Sequence, residues 1–342
     1  MSPTRPRQPR PFKYFSIFSG IGGFELGIQR AYIRSRDGDS EATRSTPLIE
    51  GLEERQSDVV RSGSKPNGYD RQTPICLGFS EIDKYATQIY KTHFNHKEYG
   101  DVSAIDWSDT EDFNLLVGGF PCQAFSIAGK RRGFDDTRGT LFFEIARCLR
   151  EKQPRLLLLE NVKGLLSHAK GQTFGVVLNT LDELGYDLQW QVLNSKNFGV
   201  PQNRERVFIV GHLRGTSRPE VFPIGESCQG SIKRTEQTTV VRCLQGGGHS
   251  GGHHSSMSIL RTNESSTRPE GDKSDNPNSI GRATCSDDMR IRRLTPTECE
   301  RLQGFPDGWT EGISDTQRYK CLGNAVTVNV IETIMVKLLE VL

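Results

Sequence analysis

Short continuous apolar runs recur along the chain, and most of them are followed by a segment with helical periodicity. The predicted strands are KYFSIF (13–18), ICLGFSEID (75–83), FNLLVGG (113–119), PRLLLLENV (154–162) and ERVFIVG (205–211). Runs of this kind are typical of strands that are buried on both faces. Because they alternate with helices, the pattern predicts an α/β protein with a doubly wound, mostly parallel sheet.

Helix signals are clearest in the middle and at the end of the chain. The segment GQTFGVVLNTLDELGY (171–186) has apolar residues at helical spacing and a glycine just past its end. Thr295, Pro296 and Glu298 have the pattern of a helix N-terminus. We expect a last helix at about residues 324–341.

Two segments interrupt this alternation. Residues 34–74 are polar with little periodicity, which predicts a flexible surface insertion. Residues 213–290 are rich in Gly, Ser, Asn and Pro, which predicts a smaller, irregular unit. The predicted organisation is therefore a first domain over 1–212, the irregular unit over 213–290, and a return to the first domain over 291–342.

Composition narrows the class of protein. The 342 residues carry a formal net charge of only +2, so any basic surface has to be local. No apolar run approaches the roughly 20 residues that span a bilayer, and nothing resembles a signal peptide. The eight cysteines form no CxxC pair, which indicates neither a zinc ribbon nor a disulfide framework. We expect a soluble, cytoplasmic protein that is not associated with a membrane.

Chemically useful residues follow four of the predicted strands. They are the glycine turn Ser19-Gly20-Ile21-Gly22-Gly23, then Glu81, then Pro121-Cys122, and then Glu160-Asn161. Ligands of open α/β sheets bind outside the carboxyl ends of the strands. Because these four groups converge on one such edge, the sequence predicts a functional site there.

The residue types narrow the chemistry of this site. Glycines allow a ligand to approach the backbone, and Glu81 suits the two hydroxyls of a ribose. No Lys-Ser/Thr pair follows the glycines, which argues against a nucleoside triphosphate. Cys122 is either a core cysteine or a nucleophile, and Glu160 is a candidate proton donor. No histidine lies at these strand ends, so a protease is not indicated.

Six sequence blocks carry a family resemblance. FSGIGGFELG, GGFPCQAFS, ENVKG, PQNRERVFIVG, RRLTPTECERLQGFP and YKCLGNAV resemble, in the same order, the blocks of the DNA cytosine-C5 methyltransferases. They span about residues 15–331. The resemblance implies the S-adenosylmethionine-dependent methyltransferase fold. It also implies methyl transfer from S-adenosyl-L-methionine to C5 of a cytosine in double-stranded DNA, with S-adenosyl-L-homocysteine as the product.

The same resemblance implies four catalytic residues. The Cys122 thiolate adds to C6 of the flipped-out cytosine and forms a covalent adduct. Glu160 holds N3 and the exocyclic amine of the base. Arg206 lies on the cytosine O2, where negative charge spreads. Arg204 holds the loop that carries the cysteine, or a phosphate.

Further positions are implied to bind the cofactor or the substrate. The implied cofactor residues are Phe18, Ser19, Gly20, Gly22, Gly23, Glu81, Asp101, Val102, Pro121, Leu141 and Asn324. The implied substrate residues are Gln123, Ser126, Arg131, Asn161 and Gln202. For Phe18, Val102 and Leu141 the alternative is plain core packing. The glycine- and arginine-rich loop after Cys122 is expected to close over the flipped base.

The irregular unit at 213–290 occupies the place of the family's target-recognition region. Its QGGGHSGGHH segment is expected near base edges. A zinc site made of Cys243, His249 and His253 has poor spacing, so we predict no metal. The DNA sequence that such a region recognises does not follow from its residues.

Several readings of the function stay open. The first is a prokaryotic restriction-modification or orphan methylase, acting as a monomer and separately from any cognate endonuclease. The second keeps the fold and takes transfer RNA as the substrate. The third, a non-catalytic DNA-binding relative, is disfavoured by the presence of Cys122 and Glu160. The fourth, an NAD-dependent oxidoreductase, explains only the glycine turn.

Overall fold

The computed structural model describes residues 12–37, 73–121, 141–216, 218, 220–225, 241–242, 293–340 and 342. Most of the predicted insertion at 34–74 and most of the irregular unit at 213–290 lie outside the described residues. So do Cys122, Gln123, Ser126 and Arg131. The predicted domain boundaries therefore stay predictions.

The described strands form one large sheet and a short pair. The strands are β1 (Lys13–Ile17), β2 (Ile75–Ser80), β3 (Leu115–Gly119), β4 (Leu156–Val162), β5 (Tyr186–Asn194), β6 (Gln202–Asn203), β7 (Glu205–Leu213) and β8 (Val241–Arg242). The large sheet has the order β2-β1-β3-β4-β7-β5, and β6 pairs with β8.

The large sheet is parallel at one end and antiparallel at the other. Strand β1 pairs in parallel with β2 and β3, and β3 pairs in parallel with β4. Strand β7 runs antiparallel to both β4 and β5. The predicted α/β class with a mostly parallel sheet is confirmed, and the five predicted strands are all present. The antiparallel direction of β7 brings its beginning to the edge where β1 to β4 end.

Most strands of the large sheet are followed by a helix, as predicted. They are α1 (Gly23–Asp37), α2 (Lys84–His93), α3 (Leu141–Lys152), α4 (Gln172–Glu183), α5 (Pro296–Leu302), α6 (Asp315–Asn324) and α7 (Val328–Leu339). Thr295 and Glu298 form the predicted capping box of α5. The prediction of a last helix from 324 was wrong in its start, because the backbone is extended at Ala325 and Thr327. Strand β5 was also missed.

Two hydrophobic clusters cover the two faces of the sheet. One contains residues of α1 and α7, including Phe24, Ile28 and Ile331. The other contains residues of α3 and α4, including Ile145 and Val177. Helix α1 packs closely on α7 because Gly27 has no side chain, and a Cβ there would lie 2.6 Å from Ile331. The sheet is therefore doubly wound.

One apolar stretch of the described residues needs comment. Residues Asp315–Leu339 are long and apolar enough to cross a membrane, but 72% of their most apolar window is buried inside the protein. The stretch is also divided between α6 and α7. We therefore describe it as two core helices.

Candidate active site

The glycine turn between β1 and α1 has an unusual backbone. Phe18, Gly20 and Gly22 all have positive φ angles, of 53°, 56° and 88°. A positive φ is uncommon for a residue with a side chain and marks strain that occurs preferentially at functional sites. The Cβ position of Gly20 faces open space, with no atom within 4 Å. The turn therefore leaves room for a ligand beside Gly20.

Glu81 ties this turn to the end of β2. One carboxylate oxygen accepts a hydrogen bond of 2.9 Å from the Gly20 N–H. The other oxygen accepts from the N–H groups of Ile82 and Asp83, at 2.9 and 2.8 Å. The oxygen that accepts from Gly20 keeps a further lone pair, because it accepts only this one bond. The structure thus presents a half-buried, fixed hydrogen-bond acceptor beside the open side of Gly20.

The other implied cofactor residues of this region differ in their exposure to solvent. Asp101 is exposed, and its side chain caps a 3₁₀ turn by accepting from the Ser103 N–H. Val102 is 2% exposed and belongs to the core cluster on the α3 face. Phe18 and Leu141 are partly buried against that cluster. All three apolar side chains contact this cluster, so core packing stays the alternative for each of them.

Glu160 and Arg206 form an ion pair at the ends of β4 and β7. The Arg206 Nε lies 2.9 Å from a Glu160 oxygen, with side chains 16% and 12% exposed. The pair exists because β7 is antiparallel to β4, which places Arg206 opposite Val162. Burial raises the pKa of Glu160, and the nearby guanidinium groups of Arg206 and Arg204 oppose that rise. The net shift of the Glu160 pKa is upward, because burial outweighs the two guanidinium groups.

Gly119 leaves the space that the Glu160 carboxylate fills. A Cβ at Gly119 would lie 3.2 Å from the Glu160 Oε2. Gly119 ends β3, and Pro121 is exposed at the last described position before Cys122. The ion pair therefore lies next to the segment that leads to the predicted nucleophile.

Asn161 holds the backbone just before Pro121. Its amide donates 2.9 Å to the Phe120 carbonyl, and its carbonyl accepts 2.8 Å from the Val162 N–H. The side chain is 2% exposed. We expected Asn161 to bind substrate. In this structure it is instead occupied in holding the backbone that precedes Pro121.

Gln202 and Arg204 are also buried. Gln202 is fully buried, and its amide donates 2.7 Å to the Leu302 carbonyl. Arg204 is 2% exposed, and its Nη2 donates to the carbonyls of Gly323 and Ala325, at 3.0 and 2.8 Å. These positions do not suit a substrate contact for Gln202 or a phosphate contact for Arg204. A contact between Arg204 and the Cys122 loop lies outside the described residues.

The late block around Asn324 folds back onto the glycine turn. Asn324 is exposed at the end of α6, between the two carbonyls that Arg204 binds. A Cβ at Gly23 would lie 3.3 Å from the Val326 carbonyl oxygen. The structure therefore brings this block, the glycine turn and Glu81 together. It places Glu160 and Arg206 further along the same sheet edge.

Two residues near the site were not predicted. Ile82 is 73% exposed directly after Glu81. Its position just after a strand end is the only sequence signal that could have marked it. Glu25 is fully buried in the first turn of α1 and accepts 3.0 Å from the Tyr90 hydroxyl. Burial raises the pKa of Glu25 to about 7. Helical periodicity alone gave no sign that this glutamate points inward.

No cluster of three His, Cys, Asp or Glu side chains suited to a metal ion occurs in the described part of the chain. The polar groups that the structure describes at the sheet edge include the N–H groups around Gly20, the carboxyl groups of Glu81 and Glu160, and the Arg206 guanidinium.

Known proteins resemble this chain in sequence. A family model described as C-5 cytosine-specific DNA methylase matches residues 63–274 and 253–340. Type II methyltransferase M1.ScrFI of Lactococcus lactis subsp. cremoris is 36% identical over 365 residues, covering 100% of this chain and 82% of that protein. Type II methyltransferase M.HhaI of Haemophilus parahaemolyticus is 34% identical, covering 98% of this chain and 96% of that protein.

Solved structures agree with the fold. The crystal structure of S. pombe Dnmt2 methyltransferase has a TM-score of 0.61, at 17% identity, and covers 96% of this chain and 98% of that one. At this identity the likeness concerns the fold alone. The predicted methyltransferase fold is confirmed.

Proposed function

Because the chain belongs to the family of C-5 cytosine-specific DNA methylases and is a DNA cytosine-5 methyltransferase, we propose that it takes its methyl group from S-adenosylmethionine. The acceptor in this proposal is C5 of a cytosine flipped out of a specific double-stranded DNA sequence. The observation that carries the proposal is the Glu160–Arg206 ion pair of 2.9 Å, which lies on the same sheet edge as the glycine turn. In this proposal the ion pair binds the base and the glycine turn binds the nucleoside cofactor.

The residues at the glycine turn fit such a cofactor. Gly20 has open space where a side chain would be, and Glu81 presents a fixed carboxylate beside it. A ribose offers two hydroxyl donors that this carboxylate can accept. Phe18, Ser19, Gly20, Gly22, Gly23, Glu81, Asp101, Pro121, Leu141 and Asn324 are the residues proposed to hold the cofactor. When bound, S-adenosylmethionine supplies an electrophilic methyl group.

The base side is proposed to activate the cytosine. The Cys122 thiolate forms a bond to C6, and the electron pair of the C5–C6 double bond shifts toward C5 and the ring. Glu160, whose pKa is raised by burial, donates a proton at N3 and accepts a hydrogen bond from the exocyclic amine. Arg206 stabilises the charge that spreads to O2. After C5 is methylated, water takes the C5 proton, and the electron pair of the C5–H bond restores the C5–C6 double bond as the thiolate leaves C6. N3 then returns its proton to Glu160.

Asn161 and Arg204 are proposed to act as positioning residues in this scheme. Asn161 fixes the Phe120 carbonyl just before Pro121. Arg204 fixes the backbone on both sides of Asn324. Contacts of Gln123, Ser126 and Arg131 with the substrate, and closure of their loop over a flipped base, remain predictions. Target recognition by residues 213–290 is a prediction of the same kind.

The biological setting is proposed from the relatives. Those named above are Type II methyltransferases, so we propose a restriction-modification or orphan methylase of a prokaryotic cytoplasm. It would act as a monomer, without contact to an endonuclease.

The proposal is tested by methyl transfer. Native protein and Cys122→Ala are incubated with labelled S-adenosylmethionine and either unmethylated DNA or transfer RNA. Label on C5 of cytosine in DNA, lost in the variant, is the expected result, and sequencing of the product gives the site. Label confined to transfer RNA supports the alternative substrate. Absence of label with DNA binding retained would contradict the proposed reaction.

A further inference from the structure

One peptide unit of the glycine turn is held at both of its polar groups. The carbonyl of Ile21 accepts a hydrogen bond of 2.9 Å from the indole Nε1–H of Trp309. The N–H of the same peptide, which belongs to Gly22, donates 3.1 Å to the Ser19 carbonyl. Trp309 is 288 positions away in the chain, so this contact is a purely tertiary one.

This peptide needs an external restraint. It lies between Gly20 and Gly22, whose φ angles are 56° and 88°, and glycines offer little resistance to rotation of the peptides around them. Rotation would turn the Ile21 carbonyl away from the interior and would break the bond between Gly22 and Ser19. The shape of the turn beside Glu81 therefore depends on the donor that holds the carbonyl.

The indole is itself held firmly. Trp309 is 6% exposed, and its ring stacks on His93 with centroids 3.6 Å apart and planes at 6°. The His93 Nε2 lies 2.7 Å from the Trp309 carbonyl oxygen. Phe94 contacts Trp309 edge-on and also covers Gly22, where a Cβ would lie 2.3 Å from the Phe94 ring. The indole N–H thus has a fixed direction.

A buried carboxylate fixes the backbone around Trp309. Glu300 is fully buried and accepts 2.8 Å hydrogen bonds from the N–H groups of Gly308 and Thr310. Its charge is balanced by the Arg318 guanidinium at 3.1 Å. The loop that carries Trp309 is therefore rigid on the side that faces the glycine turn.

We propose that Trp309 is a positioning residue of the cofactor pocket: its indole N–H sets the orientation of the Ile21–Gly22 peptide and so the shape of the turn that receives the cofactor. This inference rests on the proposed function, because it assigns S-adenosylmethionine to that turn. Trp309 acts through the peptide and makes no direct contact with the reacting groups.

The test replaces only the donor. Trp309→Phe keeps an aromatic ring against His93 and Phe94 and removes the N–H. Trp107→Phe is the matched control, because Trp107 is also buried and its Nε1 has no hydrogen-bond partner among the described residues. For each protein we would measure the Kd of S-adenosylmethionine by calorimetry, the KM and kcat of methyl transfer, and amide hydrogen exchange of residues 19–24 without ligand.

The expected result is a rise of roughly three- to tenfold in the Kd and KM for S-adenosylmethionine in Trp309→Phe, which is the size of one lost hydrogen bond. The kcat at saturating cofactor should change less, and exchange at 19–24 should speed up. Trp107→Phe should leave the Kd and this exchange as in the native protein. An unchanged Kd and exchange in folded Trp309→Phe, or equal changes in Trp107→Phe, would overturn the inference.

A second variant covers the case in which Trp309→Phe does not fold. His93→Phe keeps the stacked ring and loses the bond to the Trp309 carbonyl, so a smaller rise in Kd is expected, and no rise would overturn the inference. If the native protein bound no S-adenosylmethionine, the proposed function would be wrong, and this result would not concern Trp309. Faster exchange at residues 19–24 in the apo variant would still report on the role of Trp309 in holding the turn.

Discussion

Glu81 and Glu160 are the same residue type at the ends of two strands of one sheet, yet their surroundings differ. Glu81 is half-buried and accepts hydrogen bonds from three backbone N–H groups, those of Gly20, Ile82 and Asp83. Glu160 is almost fully buried and faces the guanidinium of Arg206. The first carboxylate is fixed as an acceptor. The second has a pKa raised by burial, which suits it to transfer a proton.

The comparison shows that one residue type has two different environments on the same sheet edge. Backbone donors fix the direction of the Glu81 oxygens, which suits recognition of a ribose. Glu160 is buried beside guanidinium groups, which leaves its pKa sensitive to what binds beside it. The variants below are arranged from the largest expected effect to the smallest.

Glu160→Gln tests the base side. The amide keeps the shape of the side chain but cannot deliver a proton to N3, so kcat should fall by about 10²–10⁴-fold. The Kd for S-adenosylmethionine should stay close to the native value, as measured by calorimetry. A variant with near-native kcat would show that Glu160 is not the proton donor.

Glu81→Gln tests the cofactor side. Loss of a charged acceptor for the ribose hydroxyls should raise the Kd for S-adenosylmethionine by about 10- to 100-fold. At saturating cofactor the kcat should recover most of its native value, in contrast to Glu160→Gln. If both variants lost kcat and kept cofactor affinity, the division of roles between the two carboxylates would be wrong.

Glu25→Gln tests the buried carboxyl behind the glycine turn. Its pKa is about 7 in the fold, against 4.5 for an ordinary glutamate, so between these values the folded state holds a proton that the unfolded chain has lost. The free energy of unfolding should therefore fall as pH rises through this window, and the difference corresponds to about 3 kcal/mol at most.

Urea unfolding at pH 5 and pH 8 measures this effect. The native protein should lose more stability between the two values than Glu25→Gln does. Glu111→Gln, at a side chain that is 68% exposed, should behave as the native protein. Equal pH dependence of the native protein and Glu25→Gln would show that Glu25 is ionised throughout.

Asn161→Ala tests the hydrogen bond that holds the Phe120 carbonyl, two residues before the predicted nucleophile. The variant leaves the buried Phe120 carbonyl without its donor, which should cost about 1–3 kcal/mol of unfolding free energy. Methyl transfer should slow less than in Glu160→Gln. Asn114→Ala, which removes an exposed 2.9 Å bond from the Lys13 N–H, should cost less in urea unfolding. The reverse order would contradict the assignment of Asn161 to backbone support.

The strand pattern alone predicted that the glycine turn, Glu81 and Glu160 share one sheet edge, but not that Arg206 lies there too. Glu81 and the glycine turn follow parallel strands, and parallel strands end at a common edge. Arg206 lies at the beginning of its strand, and only the antiparallel direction of β7 places it beside Glu160. The direction of a strand depends on the topology of the whole sheet, so the apolar run at 205–211 could not predict the direction of β7.

Burial was the other property that local pattern did not determine. Asn161 and Gln202 were expected at the substrate, and Arg204 was expected to hold the cysteine loop or a phosphate. Each of the three is at most 2% exposed and donates to a backbone carbonyl. The break between α6 and α7 was missed because apolar residues continue through Ala325 and Val326. By contrast, the capping box at Thr295 is encoded by adjacent residues and was predicted.

Trapping of the covalent intermediate tests the central claim most directly. DNA with 5-fluorocytosine at the target position allows attack at C6 and methylation at C5, but the C5 substituent cannot leave as a proton does. With S-adenosylmethionine, the native protein should form a protein–DNA complex that survives denaturing electrophoresis. Glu160→Gln should form it slowly, Glu81→Gln should need more cofactor, and Cys122→Ala should not form it. A stable complex with Cys122→Ala, or none with active native protein, would contradict the account.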